Sequence, residues 1–251
     1  MKENSDFNIN NKFSKNQFFL NYCRLCLNSI LKYVDEHEIV KEVIDFKSDD
    51  EKKAFQNICN TKNSDNEQWL IEHGYKNSLY LVYFKHLFFS LLVDFSNYYN
   101  ASIEMALKGN INVAWALLRK PLQETLAYIE WLYVDRNELL QLMLEENSVK
   151  KYEIMNHTLK HKRKEHIDII QSQKGIEFMD MFEFRYSYDK DFTINGILQA
   201  TNHLITTRAT LRTSPSGLNF IFPSDEVKNR NIGFYYTTIP FLMTYTMEIV
   251  M

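Results

Sequence analysis

Glycine and proline are scarce in this sequence. The chain has 6 Gly and 4 Pro among 251 residues, about a third of the roughly 12% that the two make up in an average protein. Dinucleotide- and phosphate-binding folds need a clustered glycine loop, and an all-β sandwich needs a turn roughly every 8 to 12 residues. The shortage therefore excludes both classes and predicts an all-α protein with few connections.

Cysteine is also scarce, and neither sign of charge is in large excess. Cys23 and Cys26 lie in an apolar helical pattern, and Cys59 is the only other cysteine. A zinc site would need further ligands at close spacing. We therefore expect structural cysteines in a reducing, cytoplasmic compartment, and neither a metal nor another cofactor. The formal net charge of −3 gives no overall reason to expect nucleic acid or membrane binding.

Long apolar runs without a charge are few. Residues 79–95 are strongly apolar but include Lys85 and Asp94, which are costly inside a bilayer. Residues 232–251 have Glu248 as their only charge. We expect the first run to be a buried core helix and the second a buried or subunit-facing helix, with no membrane association.

Apolar residues recur at spacings of three and four over most of the chain, which is typical of helices. The pattern predicts helices over residues 14–46, 77–108, 110–134, 137–173, 193–207 and from about 224 to the end. It fails at about 208–223, where we predict one irregular loop. We predict that residues 1–13 are disordered or loosely attached and that 14–251 form a single domain, an up-and-down bundle of long helices.

Pro121 lies within the pattern of a core helix. Proline lacks an amide donor and clashes with the carbonyl four residues earlier, so the helix must kink or bulge there. A bulge with i to i+5 bonding is frequent at functional sites, and it would bring Arg119 and Glu124 together beside the carbonyl of Leu117. One interpretation is a catalytic Arg–Glu pair in a polar pocket; the other is an ion pair that orients neighbouring helices.

The residues around this bulge also resemble a known group of proteins. The run is Ala101-x4-Ala106-Leu-x-Gly109-Asn-x3-Ala114-x2-Leu-Leu-Arg119-x2-Leu-x-Glu124-Thr. It resembles the signature helix pair of bacterial all-helical families that are distantly similar to the HEPN superfamily of helical toxins and defence ribonucleases. The resemblance implies a helical bundle that dimerises. Ribonucleases of that superfamily carry an Arg, four to six residues and then a His, a pattern that this sequence lacks.

Basic residues and histidines are concentrated near the middle of the chain. Glu153, His157, His161 and Glu165 repeat every four residues, so on one helix adjacent members would share a face. Two imidazoles one turn apart can bind a transition metal, but the surrounding positive charge would repel it. We favour a solvated helix face, then a phosphate or RNA contact, then a metal. The residues of the phosphate interpretation are His157, His161, Lys162, Arg163, Lys164 and His166.

The sequence leaves two functions open. The first is a HEPN-like homodimer that acts through RNA or protein contact in stress response or phage defence, with Arg119 and Glu124 as catalytic residues if it is a metal-independent ribonuclease. The second is a non-catalytic interaction or sensor module whose aromatic last third binds a partner. Arg208 and Arg212, in the predicted irregular loop, are candidate anion-binding residues in either case.

Overall fold

The computed structural model describes residues 3–37, 44–60, 66–146, 148–176, 178–188, 192–205, 213, 218 and 225–251, with side chains from residue 17 in the first helix and from 228 in the last. The prediction of an all-α protein is confirmed, since these residues form helices and no strand. The predicted loop at 208–223, with Arg208 and Arg212, lies outside the described residues apart from Thr213 and Leu218. The division into residues 1–13 and 14–251 stays a prediction.

The chain combines a few long helices with several short ones. The α-helices are α1 (Glu3–His37), α2 (Asp49–Cys59), α3 (Asn66–Glu72), α4 (Lys76–Leu107), α5 (Ile111–Leu117), α6 (Leu126–Leu144), α7 (Val149–Tyr152), α8 (Lys160–Lys174), α9 (Met181–Tyr186), α10 (Ile194–Asn202) and α11 (Asp225–Val250). A π-helix, Lys120–Thr125, joins α5 to α6, and a 3-10 turn, His157–Leu159, precedes α8. The continuous helix predicted over 137–173 is therefore wrong, because the chain is interrupted on both sides of α7.

The core forms where α1, α4, α5, α6 and α11 pack together. Trp115 of α5 is fully buried, and its ring meets that of Tyr235 from α11 at 5.3 Å between centroids. Tyr99 of α4 donates a hydrogen bond to the Ile239 carbonyl at 2.7 Å. These contacts place α11 inside the bundle, as predicted for residues 232–251.

The first half of α4 is less buried than the sequence predicted. Leu81 is 40% exposed, and Val82, Phe84 and Leu87 are only half-buried. In the part of the chain that the structure describes, α4 is the one helix long and apolar enough to cross a membrane by length and composition, and 22% of its most apolar stretch is buried. This half of α4 is exposed because it borders an open cleft against α6.

Candidate functional site

The bulge predicted at Pro121 is present. Lys120–Thr125 is a π-helix, and the Leu126 amide donates to the Pro121 carbonyl five residues earlier. A π-helical turn changes which backbone carbonyls accept hydrogen bonds from amides of the same helix. Here the carbonyls of Leu122 and Gln123 accept hydrogen bonds from side chains of α9.

Arg119 and Glu124 do not form the predicted ion pair. Arg119 is exposed and Glu124 is half-buried, and no ion pair joins the two among the described residues. The buried side of this turn is occupied by Leu118 and Leu122, which leaves Arg119 directed outward. The predicted pairing of Arg119 with Glu124 in a polar pocket is therefore wrong. A catalytic role of either residue stays a prediction.

A different Arg–Glu pair lies beside the π-helix. Arg185 of α9 is fully buried, and its guanidinium donates to the Glu130 carboxylate of α6. It also donates to the Leu122 carbonyl through Nη2 at 2.7 Å and through Nε at 3.2 Å. From α11, the Tyr245 hydroxyl donates to Glu130 Oε1 at 2.7 Å. This buried network ties the π-helix to α6, α9 and α11.

The members of the network satisfy one another. Burial raises the pKa of Glu130, and the adjacent guanidinium of Arg185 opposes that rise. Burial also raises the pKa of Tyr186 to about 12, so its hydroxyl stays protonated and donates to the Gln123 carbonyl at 3.0 Å. The hydrogen-bonded pair Arg185–Glu130 fits the interpretation of an ion pair that orients neighbouring helices. The sequence had suggested Arg119 and Glu124 for that role.

The segment 153–166 is not one helix, because the chain turns after α7 and resumes at the 3-10 turn. Glu153 and His157 therefore do not continue the face that His161 and Glu165 share. No group of residues able to hold a metal ion occurs in the described ranges. His157, His161 and Lys164 are exposed, and Lys164 Nζ pairs with Asp168 Oδ2 at 3.1 Å.

The other three predicted phosphate contacts make internal contacts. Arg163 is buried and donates to the carbonyls of Ile154 and Asn156. Lys162 pairs with Glu138, and its Nζ lies 4.6 Å from the Trp131 ring centroid. His166 is buried, and its ring lies against the same Trp131 at 5.5 Å. The prediction that all six residues form one phosphate-binding stripe is therefore wrong, because α8 directs Lys162, Arg163 and His166 toward α6 and α7.

His166 is expected to make the fold sensitive to mild acid. It is 4% exposed, its Nδ1 has no hydrogen-bond partner among the described residues, and burial together with nearby Lys162 lowers its pKa to about 4. The unfolded chain takes up this proton near pH 6.5, whereas the folded chain resists it down to about pH 4. As the pH falls from about 6.5 to about 4, this group therefore lowers the free energy of unfolding by about 3 kcal/mol.

Urea unfolding at pH 7 and pH 4.5 measures this effect. We expect the loss of stability on acidification to be smaller in His166→Gln than in the unsubstituted protein. Exposed His161, replaced in the same way, is the matched control and leaves the loss unchanged. Equal pH dependence in His166→Gln and the unsubstituted protein would contradict the prediction.

Five phenylalanine rings form a row between α9 and α11. Phe178 is 74% exposed and contacts Phe241, with 5.5 Å between ring centroids. Phe184 contacts both Phe241 and Phe234. Phe192, 62% exposed, contacts Phe234 at 6.0 Å. We call these five residues the phenylalanine row.

Most other aromatic residues of the last third lie in the core, including Phe182, Tyr186, Tyr235 and Tyr245. The sequence could not separate the two groups, because both follow helical spacing. The predicted partner-binding surface is therefore reduced to the phenylalanine row. No protein-family model matches this chain, and no curated protein and no solved structure is significantly similar to it.

Proposed function

We propose that this protein is a helical interaction module that forms a homodimer through the phenylalanine row. The proposal rests on the exposure of Phe178 and Phe192 at the two ends of a continuous row of rings. The three rings between them are half-buried and pack against the core, and large exposed apolar side chains beside such rings mark interaction sites in soluble proteins. Aromatic rings also supply much contact area for each side chain that becomes fixed.

The backbone at Phe192 supports the proposal. Its φ is +57°, a left-handed conformation that is rare for a bulky residue and costs on the order of 1–3 kcal/mol. The fold therefore holds a strained residue whose large apolar side chain stays at the surface, a pattern that indicates function.

A second copy of the chain is the partner that the row fits best. A twofold interface brings the same patch of both subunits together and so must be self-complementary. None of the five side chains is charged, so two copies of the row can meet without burying a charge. This agrees with the interface cores of homodimers, which are apolar and depleted of charge.

Replacement of Phe178 by glutamate tests the dimer. Because the Phe178 ring is largely exposed, Phe178→Glu should leave the monomer folded while placing two like charges in the interface. We expect the dimer dissociation constant to rise at least about tenfold, equivalent to about 1.4 kcal/mol. Sedimentation equilibrium over a range of concentrations measures the change.

Phe18→Glu is the matched control, because Phe18 is 70% exposed on α1 and lies outside the row. It should dimerise as the unsubstituted protein does. A protein that stays monomeric at every concentration, or a dimer that Phe178→Glu leaves intact, would overturn the proposal.

RNA contact in bacterial stress response or phage defence is a second candidate function. It is supported by the HEPN-like resemblance and by the exposed side chains of His157, Lys160 and His161. A phosphate backbone would be held there by charge, so binding would weaken steeply with salt. Metal-independent cleavage through Arg119 and Glu124 remains part of this candidate.

A further inference from the structure

A cleft of about 620 Å³ opens between α4 and α6, where the ends of α1 and α11 meet them. Its floor is apolar and consists mainly of Phe84, Phe88, Phe89, Ile129, Leu132 and Ile249. Ligand sites in proteins are typically about 300–1,000 Å³, mostly apolar, with a few polar groups that fix orientation. The cleft has this size and composition, and it contains no member of the phenylalanine row.

A second cavity of about 370 Å³ adjoins the cleft. Phe84, Arg136 and Asn137 line both spaces. The two spaces therefore lie side by side along α4 with Arg136 between them, and together we call them the groove.

α6 is kinked where it borders the groove. Asp135 has φ −148° and ψ 80°, which is not helical, and its Oδ1 accepts the Glu138 amide at 2.9 Å. This is the bond of a helix N-cap, so the last turns of α6 begin anew after Asp135. Arg136 and Asn137, which line both spaces, directly follow this kink.

Arg136 is the polar group best placed to hold a ligand. Its guanidinium lies over the Phe84 ring, 5.3 Å from the centroid, and is exposed. Within the described ranges it has no carboxylate partner. The neighbouring Asp135 accepts the cap bond through Oδ1 and also lines the cleft, where Lys85 adds a second positive charge that offsets the negative charge of Asp135.

We infer that the groove binds a small amphipathic acid, with the apolar part on the phenylalanine floor and the acidic group on Arg136. A guanidinium binds a carboxylate or a phosphate through two parallel hydrogen bonds. The contact with the Phe84 ring restricts the Arg136 side chain before binding, which reduces the side-chain freedom lost when a ligand binds. The apolar floor beside Arg136 contacts the apolar chain or ring of the ligand. A fully polar anion has no such part and would leave the floor uncovered.

Calorimetric titration with decanoate and decanol, which share one apolar chain, tests the inference. We expect decanoate to bind about tenfold more tightly than decanol, a difference of about 1.4 kcal/mol. Arg136→Gln should abolish that difference and leave decanol binding unchanged. Arg119→Gln is the matched control, because Arg119 is also exposed but lines neither cavity, and it should retain the difference.

A second pair of variants locates the ligand. Val250→Trp places a large ring in the cleft that Val250 lines and should weaken decanoate binding at least about tenfold. Val149→Trp, at an exposed position of α7, should have no effect. Equal affinity for decanoate and decanol, equal affinity for decyltrimethylammonium, or no saturable binding would overturn the inference. None of these outcomes bears on dimerisation, which Phe178→Glu tests separately.

Discussion

Replacement of Arg185 by methionine is expected to lower the free energy of unfolding by about 3–5 kcal/mol, because it leaves the carboxylate of Glu130 buried without its counter-charge. The Leu122 carbonyl, which accepts two hydrogen bonds from Arg185, loses both. An unsatisfied buried acceptor adds to the cost. Methionine fills much of the same volume, so the loss reports the polar network more than packing.

Urea unfolding followed by circular dichroism measures this loss. Arg119→Met is the matched control, and because Arg119 is exposed, the change there should stay within about 0.5 kcal/mol. The double variant Arg185→Met, Glu130→Gln removes the orphaned charge and should recover part of the stability. Equal losses at positions 185 and 119 would contradict a structural role for the network.

The sequence predicted the bulge beside which this network lies, but neither the members of the network nor the carbonyls that accept their hydrogen bonds. Pro121 required a kink or bulge, and the sequence predicted that Arg119 and Glu124 would meet there beside the Leu117 carbonyl. Arg119 and Glu124 were chosen because they are close in the sequence. The actual donor, Arg185, lies 55 residues from Glu130 on a six-residue helix, and no local spacing connects such a pair.

Two interruptions of helices differ in how clearly the local sequence predicts them. The predicted boundary between residues 134 and 137 corresponds to the kink of α6, and Asp135 followed three residues later by Glu138 is the composition of a capping box. The turn between α7 and the 3-10 turn, in contrast, contains neither glycine nor proline. Its only local signal is Asn156, whose side chain accepts the Thr158 amide.

The two candidate surfaces depend on tertiary packing and could not be predicted from spacing alone. An apolar helix such as α4 gives the same periodic pattern whether its neighbours cover it completely or leave a cleft. Phe178 and Phe182 likewise read as equivalent in the sequence, yet the first is exposed and the second is buried. Exposure of individual rings therefore had to come from the fold.

Arg163 provides the second large effect, because the sequence placed it among the phosphate contacts and the structure places it in the interior. Its guanidinium donates to two carbonyls of the turn before α8 and lies 5.3 Å from the Tyr186 ring centroid. Burial lowers its pKa, but an arginine stays charged at neutral pH. We expect Arg163→Met to cost about 2–3 kcal/mol, the range for hydrogen bonds from a charged donor together with the stranded acceptors.

Lys164→Met is the matched control, since Lys164 is exposed one residue further along α8 and its ion pair with Asp168 is on the surface. Exposed ion pairs contribute about 0–1 kcal/mol, so urea unfolding should be nearly unchanged. Titration with tRNA at two salt concentrations adds the functional readout. If this face contacts RNA, Lys164→Met weakens binding without loss of stability, whereas Arg163→Met loses stability whether or not RNA binds. Unchanged unfolding in Arg163→Met, combined with weaker tRNA binding, would instead return Arg163 to the phosphate contacts.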